Sequence, residues 1–154
     1  MAATVLAIGK MRFAPYRAAA DEYLKRLKHY LSIQEIELKS EASPKLSEMQ
    51  IREKESRQFM DAVSPSTYMF VLDERGKLFN SVQFSELLGK LIDQSQDMAF
   101  VIGGAYGHHE CLRQRANTVF GLSPLTFPHE LARVIVYEQI YRAMTILKNE
   151  PYHK

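Results

Sequence analysis

The residues with most chemical potential crowd into the last third of the chain. Gly103-Gly104-Ala105-Tyr106-Gly107 follows an apolar run, Met98–Ile102, and precedes a short helical stretch near 110–116. Glycines at a strand-to-helix turn let backbone approach a ligand closely and adopt positive φ. The spacing is not a dinucleotide fingerprint, which needs G-x-G-x-x-G and an acidic residue about 20 positions on. That count from Gly107 lands on Phe127. A tight turn without a ligand needs the same glycines.

A second stretch is Ser123-Pro124-Leu125-Thr126-Phe127-Pro128-His129. Its two prolines fix φ and remove two donors. The remaining amides and carbonyls suit the edge of a flat heterocycle. The plainer reading is a stiff loop with Pro128 opening a helix. Beyond it, Arg133, Glu138, Gln139 and Arg142 interrupt an apolar helix. Glu138 and Arg142, four apart, make a surface pair worth roughly 0.2–0.5 kcal/mol, or else they face a site or a partner subunit. The chain ends Pro151-Tyr152-His153-Lys154. A frayed terminus is the ordinary fate of such a segment. A stacking ring beside an imidazole that titrates near neutral pH also suits an exposed base. His108 and His109 are adjacent and H-E-x-x-H is absent, so no metal is expected. Cys111, the one cysteine, allows neither an internal disulfide nor zinc-ribbon spacing.

The elements that must position these residues alternate. Thr4–Ile8, Ile36–Leu38, Thr67–Leu72, Met98–Ile102 and Thr118–Leu122 read as strands. Tyr16, Ala20, Tyr23, Leu24, Leu27 and Leu31 recur at helical spacing. Further helices are predicted over 46–63, around Phe84–Ile92, around Glu110–Ala116 and from His129 to about Lys148. The segment 40–47 reads as a loop and 72–77 as a charged turn. Strands alternating with helices imply crossover connections and a mostly parallel sheet, hence an α/β three-layer sandwich. In such sheets ligands sit beyond the carboxyl ends of the strands. That places the site at 72–77, 103–109 and 121–129.

The 154 residues are expected to form one domain with a substantial core. At 46% hydrophobic and 25% charged, the composition excludes disorder, collagen and coiled coil. Twenty basic against 18 acidic side chains give a net charge of +2. Any nucleic-acid partner must be held by a local patch. No apolar run approaches the ~18 residues of a membrane span, and no signal-peptide pattern opens the chain. No membrane association and a cytoplasmic location are expected.

Together these pieces resemble one family, the ribosomal RNA large subunit methyltransferase H family of the SPOUT superfamily. The carrying segments are AIGK at 7–10, EYLKRL at 22–27, FVLDERGK at 70–77, FVIGGAYG at 100–107 and LSPLTFPHELARVIVYEQIYRAMTILKNEPYHK at 122–154. They run in family order across the whole length. One departure is Ala105-Tyr106, where the family more often has a Pro-Glu or Ser-Asn type pair. The resemblance implies a C-terminal trefoil knot, which general topology rules would reject. It implies a homodimer with the active site across the interface. It implies S-adenosyl-L-methionine as methyl donor, and methylation of N3 of a pseudouridine in 23S rRNA of the assembled ribosome. Carried over, Leu72, Gly103, Gly104, Gly107, Ser123, Pro124, Leu125, Thr126, Phe127 and Pro128 hold the cofactor. Tyr152, His153 and Arg142 are the catalytic candidates, with His153 first choice as proton acceptor and water or Glu138 behind it. Arg142 and His129 are candidates for holding the RNA. Two rivals stand beside this: a dinucleotide-dependent oxidoreductase, weakened by the missing acidic residue, and a non-enzymatic ribosome-associated RNA-binding factor.

Overall fold

Five strands and five helices alternate along the computed structural model, which describes residues 1–154. They are β1 (Ala2–Ile8), α1 (Ala14–Leu27), β2 (Ser32–Leu38), α2 (Glu48–Asp61), β3 (Tyr68–Leu78), α3 (Ser81–Asp93), β4 (Met98–Ile102), α4 (Glu110–Arg115), β5 (Thr118–Gly121) and α5 (His129–Leu147). Every strand pairing is parallel, in the order β2-β1-β4-β3-β5. Parallel neighbours need long crossovers, and the helices supply them.

The apolar strand runs follow from burial on both faces. Alternate residues point to opposite sides. Val5, Phe70 and Phe100 face a core closed by Leu27 of α1, Leu88 of α3 and Val136 of α5. Leu6, Met69 and Val101 face the other way, onto Phe59 of α2 and Leu112 of α4. The result is three layers. Two helix starts carry reciprocal capping boxes, Ser47 with Gln50 and Asn80 with Gln83, which satisfy otherwise orphaned amides. No helix is long and apolar enough to cross a membrane.

Several elements exceed their sequence outlines, β2 and β3 most of all. β2 begins at Ser32, because it pairs with β1 along its whole length. Its Glu35 and Glu37 bond to Arg133 of α5. β3 continues through the expected turn to Leu78. Its register against β5 slips there: Phe120 faces both Leu72 and Lys77, so 73–76 bulge between them. Gly76 makes the close approach possible. A Cβ on it would lie 2.5 Å from the carbonyl carbon of Phe120 and 2.6 Å from its Cα.

Candidate active site

Because all strands run one way, their carboxyl ends share one edge of the sheet. The ends of β3, β4 and β5 open there onto a cavity of about 700 Å³, inside the roughly 300–1,000 Å³ usual for small-molecule sites. All three expected loops line it, joined by Arg52 of α2 and by His129 and Ala132 of α5. Of the residues expected to hold a cofactor, Leu72, Gly103, Gly104, Gly107, Ser123, Leu125, Thr126, Phe127 and Pro128 are in the lining. Pro124 is exposed and outside it.

The glycines serve distinct purposes. Gly107 has φ of +75° and nothing within 4 Å of a would-be Cβ, so conformation demands it. Gly103 lies close to the His108 ring, with a Cβ there only 2.8 Å from Cε1. A Cβ on Gly104 would meet Ile8 Cγ2 at 3.2 Å and Glu55 Oε2 at 3.4 Å, so its bareness allows close packing of the loop onto β1 and α2.

Polar contacts brace the loops. The Arg52 Nε–H donates to the Tyr106 carbonyl at 2.6 Å. The His109 amide donates to Ser56 Oγ at 3.0 Å. Asp73 accepts from the Arg75 amide and from Arg113 Nε, each at 2.9 Å. Burial pushes the Asp73 carboxyl up, but these donors outweigh it and hold it below its usual range. The Leu125 amide donates to Ser123 Oγ at 2.8 Å, and Thr126 Oγ1 donates to Glu74 at 3.3 Å, tying the proline loop to the bulge of β3. Glu55 is buried, with Oε1 accepting from Ser40 and the Glu41 amide and Oε2 without a partner. Burial raises its pKa. No three His, Cys, Asp or Glu side chains converge on a metal-sized point.

Behind the cavity lies an ionic cluster. Arg133 is 1% exposed. It donates to the Gly9 carbonyl at 3.1 Å, to Glu35 at 2.5 Å and to Glu37 at 2.7 Å. Glu35 also accepts from Tyr137 at 2.6 Å and from Arg17 at 2.7 Å. The cluster ties the edge strand β2 to α1 and to the first turns of α5, whose His129 and Ala132 face the cavity. The sequence reading grouped Arg133 with Glu138, Gln139 and Arg142 as groups that could face a site or a partner; its side chain is instead buried against β2.

The tail is docked. Tyr152 Oη donates to Glu138 at 3.0 Å and lies 3.5 Å from Tyr23 Oη. Burial and these neighbours hold the phenol protonated. Arg142 lies over the Tyr152 ring at 4.8 Å, pairs with Glu138, and sits 3.4 Å from His153 Nδ1. Arg142, Tyr152 and His153 thus form one cluster, but none of them lines the cavity of its own chain. Arg142 is thirteen residues beyond His129, roughly 20 Å along the helix.

Sequence reasoning missed Arg52, Arg113 and Glu55 at this site. One signal was available for Glu55. It stands four residues from both Ile51 and Phe59, on the buried stripe of α2.

The chain matches the family described as "Predicted SPOUT methyltransferase" over residues 1–153. The ribosomal RNA large subunit methyltransferase H of Caldicellulosiruptor saccharolyticus is 38% identical over 151 residues, 97% of this chain and 98% of that protein. The protein of the same name from Parabacteroides distasonis is 42% identical over 151 residues, 97% of this chain and 96% of that one. A methylase family protein from Neisseria gonorrhoeae superposes with a TM-score of 0.57 at 14% identity, over 90% of this chain and 81% of that one, a likeness of fold alone. A parallel α/β sheet with its cavity built from three carboxyl-end loops, matched from end to end by such relatives, places this chain in the SPOUT methyltransferase family.

Proposed function

We propose that this protein uses S-adenosyl-L-methionine to methylate N3 of a pseudouridine in the 23S rRNA of the assembled ribosome, in the cytoplasm. The carrying observation is the three-loop cavity in a chain whose relatives bear the name ribosomal RNA large subunit methyltransferase H. The residues fit the cofactor. Gly103, Gly104 and Gly107 offer bare backbone, and the braced 122–128 loop faces them across the cavity. Leu72, Phe127 and the backbone around Leu125 would hold a flat ring and its substituents. When bound, the cofactor supplies a methyl group on a cationic sulfur, already activated for transfer. The chain's own task is then alignment and the removal of one proton.

N3 of the base carries an imide proton that must leave. His153 is exposed, and its Nδ1 lone pair faces Arg142 at 3.4 Å, a group that only donates, so the ring takes the imide proton as that weak contact opens. Glu138 already accepts from Arg142, Tyr152 and Gln139, which suits it to holding the tail. The Tyr152 ring supplies a stacking surface. The separation of roughly 20 Å along the helix between this cluster and the cavity points to a homodimer in which one subunit's tail completes the partner's cavity. Leu131, Val134 and Ile135 support it: they remain half-exposed on α5, a stripe that a twin helix would cover. The proposal includes the family's C-terminal trefoil knot.

Calorimetry tests the cofactor: S-adenosylmethionine should bind and NAD should not. Complementation tests the shared site. Mixing a cavity-defective subunit with a tail-deleted one should restore turnover above either alone. No restoration in verified mixed dimers overturns the composite site.

A further inference from the structure

We propose that His108 is a positioning residue: as the neutral Nε2–H tautomer it latches the Leu72 carbonyl to the glycine loop, holding two of the three cavity loops in the shape that receives the cofactor. The proposal rests on reading the cavity as the S-adenosylmethionine site. His108 is 6% exposed and lines that cavity. Its Nε2 lies 2.9 Å from the Leu72 oxygen. A carbonyl oxygen only accepts, so the hydrogen is on Nε2 and the ring donates. Leu72 is the last residue of β3 in register with β4 before the bulge. The latch therefore grips β3 at the point where its chain departs from the sheet.

The ring has two close neighbours. Gly103 lies near enough that any Cβ would collide with it. The Phe59 ring of α2 packs against it in a T-shaped arrangement, centroids 6.0 Å apart. Gly103 and His108 thus form a matched pair, the bare glycine making room for the ring. Nδ1 is buried and has no partner. Protonation there would place a buried N–H against no acceptor, so the latch works only with a neutral ring. The charged groups facing it are Asp73 of β3 and Arg113 of α4, which pair with each other, while α2 brings Glu55 beneath the neighbouring glycine. Burial lowers the ring's pKa.

The test compares His108→Leu, which keeps bulk and loses the donor, with His108→Gln, which restores an N–H donor. S-adenosylmethionine affinity is measured by calorimetry at pH 7.5. Histidine ¹⁵N spectra of the native protein report the tautomer. Loss of one hydrogen bond of about 1.4 kcal/mol predicts a tenfold weaker affinity in the folded Leu variant, with Gln within threefold of native. The ring should give the Nε2–H signature at neutral pH. Should Leu not fold, the Gln affinity and the tautomer still decide. Native affinity in a folded Leu variant, an affinity loss in Gln equal to that in Leu, or an Nδ1–H or doubly protonated ring overturns the latch. Failure of the native protein to bind S-adenosylmethionine overturns the reading of the cavity instead, and the tautomer then decides the latch alone.

Discussion

Replacing Arg133 by methionine removes the centre of the buried ionic cluster. The guanidinium donates to two carboxylates and one carbonyl while 1% exposed. Methionine fills similar volume and donates nothing. Glu35 keeps Arg17 and Tyr137 as partners. Glu37 keeps only a 3.7 Å contact with Arg17 and its bond from the Met11 amide. Glu35 and Glu37 are not themselves buried, so the loss is that of two charge-assisted hydrogen bonds, at about 1.5–3 kcal/mol each, or roughly 3–6 kcal/mol. At ~2–4 °C per kcal/mol for a domain of this size, the melting point should fall by roughly 6–24 °C. Urea unfolding at pH 7 gives the free energy, provided the transition is two-state. Glu35→Gln supplies the second corner of a double-mutant cycle. Its loss and that of Arg133→Met should fail to add by more than ~0.5 kcal/mol, as expected of groups in one network. A loss under about 1 kcal/mol, or strict additivity, would refute the reasoning and reduce the cluster to ordinary surface pairing.

Gly76→Ala should prevent native folding, or lower the melting point more than an alanine at Gly107 does, because its methyl meets backbone 2.5 Å away that no side-chain rotation relieves; thermal denaturation of both variants decides. Acid should weaken the fold from about pH 6.5 downward. His108 is held neutral by burial, so the unfolded chain takes its proton first and the stability present above pH 6.5 is lost below it. That loss approaches about 1.4 kcal/mol per pH unit, and urea titrations of His108→Gln should lack it. Glu35 and Asp73, burial notwithstanding, are held below their usual range by their hydrogen-bonding partners, so their contribution is present above about pH 4.5 and lost as pH falls further. Deleting 151–154 should leave S-adenosylmethionine affinity nearly native while slowing single-turnover methyl transfer on ribosomes by ~10²–10⁴-fold; a full-length rate would remove the tail from the active site.

The sheet and its helices were legible because period-2 and period-3.6 patterns here agree with burial. The continuous run Met98–Ile102 is apolar because both its faces are covered. The three cavity loops were legible for the same reason: the positions of strand ends follow from the pattern. What escaped was set by pairing between distant segments. Nothing local marks Phe120 as the residue that passes against Gly76 and draws β3 through its charged stretch. Glu35 and Glu37 alternate with apolar neighbours as an exposed strand face does, and nothing local marks them as the partners of Arg133, about a hundred positions later. In the sequence His108 reads as half of a histidine pair, whereas its contacts with Gly103 and Phe59 come from distant segments and the loop's fold. The docking of the tail on Glu138 and Tyr23 depends on tertiary contact that no local pattern marks.

The central claim is the transfer itself. Ribosomes lacking the modification are incubated with the purified protein and S-adenosylmethionine labelled in its methyl group, and the labelled nucleotide is then mapped. The account predicts close to one methyl per ribosome, on N3 of a single pseudouridine of 23S rRNA, with no incorporation by the variant lacking residues 151–154 over the same interval. Ribosome binding without incorporation, or label on another atom or another RNA, would contradict it.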